Sequence, residues 1–374
     1  MKNNKGFANI FVVILVVVIV VVGGYFVFKN LSTPPTSQSP TQTPEALAPV
    51  PATNPQVASV PTSTRKPTPT PIPVPPLTPK SQKIQPALNV FVIQNDGILT
   101  LPTGQIEGRA VAKKFYELNP DKKTTYDFLS IFSTFRNPVT IESHDSIRYD
   151  ATGIGLLRTP SPDDLPIKLL GINLLNDTYK TIYLQSKDIK NNLWLLVHET
   201  GHQWLQYLEN VKGVSDGSHY SKWADTGFIK NGQQWSDAMG GWPWKDNKDG
   251  TVSASNIQKQ AFSPLSLYLM GFAPASEVPN MRIVIPASSD DKNFQNVKGT
   301  FTTISVNDII AQYGARTPSY QNSQKNFKMA YILLTKKGET LEQYGADLNN
   351  VNTVAKDFPA EWNLVTNGRS TINR

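Results

Sequence analysis

The chain of 374 residues contains no cysteine and only four histidines. Without cysteine it can form neither disulfide bonds nor thiolate metal sites, and it carries no cysteine nucleophile. Any zinc site must therefore take its ligands from histidine, aspartate or glutamate.

The longest part of the chain also lacks an excess of basic residues. The formal net charge is +7, of which residues 1–30 and residues 31–86 carry +3 each. Residues 87–374 are left with only +1, so the isoelectric point of about 9.2 does not indicate nucleic-acid binding. We expect no nucleic-acid partner.

Long hydrophobic runs are absent from the chain, with one exception near its start. Residues 7–28 form an uncharged run of 22 residues dominated by Val and Ile, and about 20 apolar residues suffice to span a bilayer as a helix. The alternative is a cleaved signal peptide, but the run exceeds the usual apolar core of about 7–15 residues and no small-residue cleavage site follows it. Lys2 and Lys5 precede the run and Lys29 alone follows it closely, which favours a cytoplasmic N-terminus. The sequence predicts a transmembrane signal anchor over residues 1–30, with the C-terminal domain outside the cell.

Residues 31–86 contain no aromatic residue and are built mainly from Pro, Thr, Ser, Gln, Ala and Val, with 16 prolines. Such a composition cannot bury a packed core, because proline fixes φ and removes a backbone donor. We predict a disordered, extended spacer that reaches up to about 170 Å at about 3.1 Å per residue.

Residues 87–374 hold nearly all the aromatic residues and can bury a substantial core, as one large domain or two lobes. Apolar periodicity predicts helices at 104–118, 193–208, 305–313 and 339–362, and a helical or buried segment at 264–272. Alternation and β-branched content predict strands at 126–135, 139–148, 169–175, 181–185 and 327–335. Residues 213–260 are rich in Gly, Asp, Ser and Trp, which indicates a long loop region. We predict an α+β domain with a loop-rich C-terminal lobe.

The most specific motif is His-Glu-Thr-Gly-His at residues 198–202. Residues i and i+4 of a helix share a face, so His198 and His202 can reach one ion while Glu199 addresses a water beside it. At the His and Glu content of this chain, the pattern arises by chance in about one of a thousand such sequences. We predict a zinc site with the two histidines as ligands and Glu199 as the catalytic general base.

Catalytic zinc sites commonly use three protein ligands and leave the fourth position to water. The only histidine downstream of the motif is His219, which follows a turn rich in Gly, Asp and Ser, and we predict it as the third ligand. The alternative is that His219 is a surface-loop histidine. His144 is interpreted as structural or exposed. The competing third ligands are Asp216, Asp225, Asp237, Glu209 and Glu277.

Other residues indicate how the site is built. Gly201 lies inside the predicted helix, where glycine costs about 1 kcal/mol relative to alanine, so we expect a close approach of another group there. Tyr220 and Tyr268 are candidate donors to an oxyanion, or else packed tyrosines. Six of the seven tryptophans fall between residues 194 and 244. These tryptophans either line a cleft that binds peptide or glycan, or pack in the core and hold the loops in place.

The segment 198–220 resembles the zincin metallopeptidases. The resemblance implies that the motif helix follows a mixed sheet whose edge strand aligns the substrate, that the motif histidines hold zinc, and that the motif glutamate is the base. The metzincin pattern is not met, because Leu205 and Leu208 stand where Gly and His would follow His202. Met239 could mimic the methionine that lies beneath the metal in that group, or be a core residue. The later segments Ser-His-Tyr, Met-Gly-Gly and Leu-Tyr-Leu-Met-Gly look like those of secreted bacterial proteins, and no subfamily is assigned.

Together these features predict a membrane-anchored, extracytoplasmic zinc endopeptidase that hydrolyses peptide bonds with a metal-activated water. Zn²⁺ is the expected cofactor, a protein or peptide the expected substrate, and the N-terminal helix the expected membrane contact. The alternative is a surface adhesion or binding module on a zincin scaffold with little or no catalysis, and a nonpeptide zinc hydrolase is a third hypothesis. Substrate specificity and oligomeric state do not follow from the sequence.

Overall fold

The computed structural model describes residues 90–136, 142–156, 164–177, 189–256, 259–288 and 294–374. All of them belong to one compact unit that spans Pro76–Arg374. The predicted anchor and spacer, and the predicted strand at 181–185, lie outside the described residues. Among the helices that are described, none combines the length and the apolar character needed to cross a bilayer.

The described chain is mixed α+β, with five α-helices and several sheets. The helices are α1 (Gly108–Leu118), α2 (Ile189–Gly201), α3 (Pro264–Leu269), α4 (Val306–Tyr313) and α5 (Leu341–Val365). The first strands are β1 (Val90–Gln94), β2 (Phe128–Ser133), β3 (Ser143–Ser146), β4 (Gly171–Asp177), β5 (Ser215–Asp216), β6 (His219–Asp225), β7 (Phe228–Lys230) and β8 (Gln233–Asp237). The later strands are β9 (Gly240–Trp242), β10 (Trp244–Asp246), β11 (Thr251–Ala254), β12 (Gln260–Ala261), β13 (Met281–Pro286), β14 (Val297–Ile304), β15 (Asn326–Thr335) and β16 (Thr371–Asn373).

The main sheet has the strand order β1-β15-β2-β4-β3, and β16 pairs with β15. All its pairs are parallel except that of β3 with β4, which is antiparallel, and among the described strands β3 lies at the edge of the sheet. Every residue of β2 is buried, because the sheet is covered on both faces, and this explains the nearly continuous apolar runs of β2 and β15. Helix α1 packs on one face, and α2 and α5 pack on the other.

The motif helix is shorter than predicted. It ends at Gly201 rather than at Leu208, and the chain then turns, with the Leu205 N–H donating to the Gly201 carbonyl at 3.0 Å. Leu205 and Leu208 are fully buried. The helical spacing of these two leucines therefore reflects their burial in the turn after the helix, and it does not indicate that the helix continues.

The segment 213–260 is not the long loop that the sequence predicted. It contains most of two further sheets, with the strand orders β10-β11-β14-β13-β6-β5 and β12-β8-β7, and β9 pairs with β6. The strands within this segment are two to seven residues long, and several of them are separated by short turns that contain glycine, so no apolar alternation was long enough to recognise. Strand β6 begins at His219, and through this residue the region contacts the motif helix.

Candidate metal centre

Helix α2 and strand β6 bring the three predicted histidine ligands together. His198 lies on the last turn of α2, His202 is the first residue after the helix, and His219 is the first residue of β6. The three ring centroids form a nearly equilateral triangle with sides of 4.9, 5.0 and 5.1 Å. One nitrogen from each ring lies within 4.8 Å of the others. Within the part of the chain that is described, this is the one group of three or more His, Asp or Glu side chains with metal-ligand spacing.

A short hairpin places His219 beneath the end of α2. The turn between β5 and β6 contains Gly217, whose φ of 67° lies in the left-handed region that glycine adopts readily. Below the hairpin, the Ser221 N–H donates to the Val214 carbonyl at 2.9 Å. The polar turn was therefore correctly identified in the sequence as the feature that returns His219 to the helix.

Backbone carbonyls set the tautomers of the two motif histidines, His198 and His202. The Nδ1 atom of His198 lies 2.8 Å from the Ala238 carbonyl oxygen, and that of His202 lies 3.0 Å from the Leu205 carbonyl oxygen. A carbonyl can only accept, so both Nδ1 atoms carry the proton and both Nε2 atoms present a lone pair. This is the arrangement in which neutral histidine binds a metal.

The Nε2 atoms of His198 and His219 lie 3.0 Å apart. Two nitrogen ligands of a tetrahedral zinc, each about 2.0–2.1 Å from the metal, lie about 3.3–3.4 Å from one another. At this short distance from His219 Nε2, the lone pair of His198 Nε2 is stable only if a proton or a cation lies between the two nitrogens. The donor set and its spacing therefore fit a zinc ion.

Burial keeps the three imidazoles neutral. It lowers the pKa of His198 to about 3, with a further contribution from the neighbouring His219. Burial is also the main reason why the pKa of His202 lies well below its ordinary value, and it lowers the pKa of His219. Neutral imidazole is the ligand form, so a metal would meet little competition from protons near pH 7.

Glu199 lies beside the histidines in a desolvated position. Its exposed fraction is 5%, and burial, followed by the charge of Glu142, raises its pKa to about 8. Within the described residues, no hydrogen-bond donor contacts its carboxylate. A nearby cation favours the charged form of a carboxyl group, so a metal on the three imidazoles would lower this pKa.

Gly201 permits the close contact that the sequence indicated. A Cβ atom at this position would lie 2.9 Å from Met239 Sδ and 3.0 Å from Phe262 Cε1. Met239 is fully buried in the large core, immediately below the last turn of α2. The methionine thus packs against the motif helix as a core residue.

The competing ligands are used elsewhere. Asp225 forms an ion pair with Arg282, and Glu277 pairs with Arg369. Asp237 is buried and accepts hydrogen bonds within the core. Neither Asp216 nor Glu209 belongs to the group of side chains with ligand spacing.

The two tyrosines considered as oxyanion donors are buried. The Tyr220 hydroxyl shares a hydrogen bond with Ser266 Oγ at 3.0 Å, and the Tyr268 hydroxyl accepts from the Arg316 N–H at 3.2 Å. Both hydroxyls therefore make contacts inside the core, and we assign neither of them to a reaction.

Most of the tryptophans between 194 and 244 serve packing. Trp204, Trp235 and Trp244 are buried, and Trp223 stacks on Trp244 with ring centroids 5.5 Å apart. Trp194 differs, because it is half-buried and stacks on His198 with centroids 5.3 Å apart. It is the tryptophan that borders the histidine cluster.

Sequence reasoning missed a buried polar network behind the motif. His144 is half-buried, with Nδ1 2.7 Å from Asn173 Oδ1 and Nε2 3.0 Å from Gln203 Oε1. Asn173 also donates to Thr200 Oγ1 at 3.0 Å, so the network ties the main sheet to residues on both sides of the motif's second histidine. Gly171 makes room for it, since a Cβ there would lie 2.3 Å from His144 Cε1. The one signal in the sequence was an asparagine within an otherwise apolar strand.

Comparison with known proteins found no match among family models, none among curated proteins and none among solved structures. Functional inference therefore depends on the geometry of the site.

Proposed function

We propose that this protein is a zinc-dependent hydrolase of peptide bonds. The observation that supports it most strongly is the convergence of His198, His202 and His219 with a buried glutamate at the next helix position. Three neutral nitrogen ligands with the fourth position left to water are typical of catalytic zinc sites, whereas structural sites are closed by four protein ligands. The carbonyls of Ala238 and Leu205 accept from Nδ1 of the two motif histidines, and such contacts orient the ligands of metal sites.

The proposed reaction assigns distinct tasks to residues of this chain. Zinc, when bound, supplies a Lewis acid that polarises a carbonyl and lowers the pKa of a water to about 7. The Glu199 carboxylate takes the proton from the attacking water and later gives it to the leaving amine. A carboxyl group whose pKa lies near the working pH performs both transfers, and burial moves the pKa of Glu199 in that direction.

The position of β3 supports an extended peptide as substrate. β3 is antiparallel to its neighbour, ends the main sheet and lies beside the motif, since His144 of β3 contacts Gln203. Zincins, which segment 198–220 resembles, align the substrate along such an edge strand. We propose that the substrate backbone pairs with β3 and passes the histidine cluster. In the full chain, the predicted anchor would place this site outside the membrane.

Metal analysis and peptide cleavage test the proposal. The full-length chain, purified in detergent, should hold one zinc per chain and cleave members of a peptide library. Glu199→Gln should keep the zinc but lose cleavage, because it retains the ligands and removes the base. His219→Ala should lose both zinc and cleavage. Unmodified protein without zinc would refute the metal site, whereas zinc without cleavage would refute the peptidase and favour a binding module.

A further inference from the structure

Asp237 is a buried carboxylate that is connected by hydrogen bonds to two of the proposed histidine ligands and is not itself a proposed ligand. It is fully buried at the end of β8, and its oxygens accept three hydrogen bonds of 2.7 Å. Oδ1 accepts from the Met239 N–H, and Oδ2 accepts from the Ser263 N–H and from Ser266 Oγ. One side chain therefore connects the end of β8 to the start of α3 through two backbone N–H groups and one hydroxyl.

One branch of contacts leads from Asp237 to His198. The bond from the Met239 N–H back to Asp237 closes a tight turn with Ala238 at its centre. The Ala238 carbonyl is the group that accepts from His198 Nδ1, at 2.8 Å. The carboxylate therefore fixes the peptide that orients this imidazole.

A second branch leads to His219. Ser266, which donates to Asp237, shares a 3.0 Å hydrogen bond with the Tyr220 hydroxyl. Tyr220 follows His219 directly, and its N–H donates to the Met239 carbonyl at 2.9 Å. The start of β6 is thus attached to the same turn and to the same carboxylate.

We propose that Asp237 is a positioning residue that sets the separation of the His198 and His219 nitrogens. It acts through the Ala238 carbonyl on one side and through Ser266 and Tyr220 on the other. The inference rests on the proposed metal site. An aspartate is required because one side chain must accept from three donors, and an asparagine at this position would turn its NH₂ group towards at least one of them.

The test compares Asp237→Asn with Asp127→Asn in the full-length chain in detergent. Asp127 is a matched control, since it is 2% exposed and also accepts three hydrogen bonds, from the Lys328 N–H, Lys168 Nζ and Gln324 Nε2. It lies at the start of β2, in the main sheet. Both variants should lose stability, but only the first should change the metal site.

Zinc affinity is measured by competition with a chelator, and the ligand field by the visible absorption of the Co²⁺-loaded chain. Asp237→Asn should weaken zinc binding by about 10–100-fold, the usual effect of losing an outer-shell partner, and should shift the Co²⁺ bands. Asp127→Asn should leave both readouts unchanged. Zinc affinity within twofold of the unmodified chain in a folded Asp237→Asn protein would overturn the proposal.

Two further measurements keep the proposal testable if Asp237→Asn does not fold or if the unmodified chain binds no zinc. Tyr220→Phe removes one hydroxyl and leaves the packing in place, and it should weaken zinc binding by about tenfold. In the metal-free chain, histidine ¹⁵N spectra should show the Nδ1–H tautomer of His198, and Asp237→Asn should reduce its population. An unchanged tautomer in that variant would refute the positioning role independently of zinc.

Discussion

Gly201 and Gly345 are two helix glycines with opposite surroundings. A Cβ at Gly201 would lie 2.9 Å from Met239 Sδ and 3.0 Å from a ring carbon of Phe262, both of which are fully buried. A Cβ at Gly345, in α5, would meet no atom within 4 Å. Substitution by alanine therefore adds the same methyl group to a crowded site and to an open one.

The two substitutions should change stability in opposite directions. Alanine gains up to about 1 kcal/mol over glycine inside a helix, because it restricts the unfolded chain. At Gly201 the added methyl also forces a well-packed core apart, which typically costs about 1–3 kcal/mol. We expect Gly345→Ala to stabilise the chain by about 0.5–1 kcal/mol and Gly201→Ala to destabilise it by up to about 2 kcal/mol.

Urea denaturation followed by tryptophan fluorescence measures both effects in the full-length chain. All seven tryptophans lie between residues 194 and 362, so the signal reports only on the described part of the protein. The difference between the two variants isolates the cost of the contact with Met239 and Phe262. Equal stabilisation by both alanines would refute the packing of α2 against this core.

Three further outcomes are expected. Metal-free Glu199→Gln protein should become more stable than the unmodified metal-free chain as the pH rises. The pKa of Glu199 is about 8 in the folded chain against an ordinary 4.5, so the unmodified chain loses stability between these two pH values. The difference in free energy of unfolding between the two proteins, measured by urea titration, should therefore change by a few kcal/mol from pH 6 to pH 9. Asn173→Leu should cost about 2–4 kcal/mol in the same assay, because Thr200 and His144 lose a buried partner. Zinc affinity, measured by chelator competition, should change little between pH 7.5 and 6, since burial lowers the pKa of all three histidines, whereas a tenfold loss would show that they titrate normally.

The sequence was sufficient to predict which three histidines lie close together. The i, i+4 spacing brings His198, on the last turn of α2, and His202, directly after it, to the same side of the helix end because helix geometry is local. His219 could be predicted as the third histidine of the group because histidine is scarce in this chain and because a polar turn precedes it. Helix α4 was likewise predicted with both ends, from Ser305 as its cap and Gly314 as its stop, and in the structure Ser305 forms a capping box with Asp308.

What could not be predicted depends on contacts between distant parts of the chain. β15 inserts between β1 and β2 in the main sheet, although about 190 residues separate it from β2. The strands between 213 and 260 are too short for a recognisable alternation, and pairs such as Ile283 with Ala224 stabilise them from far away. The carbonyls of Ala238 and Leu205, which orient the histidines, are backbone groups and leave no trace in the sequence.

The metal centre itself can be observed by X-ray absorption at the zinc K-edge of the full-length chain, purified without chelators. We expect stoichiometric zinc with three imidazole nitrogens at about 2.0–2.1 Å and at least one further light-atom ligand. Loss of one imidazole from the spectrum in His219→Ala would confirm the third ligand. Absence of zinc, or a zinc environment with fewer than three imidazoles in the unmodified chain, would contradict the proposed centre.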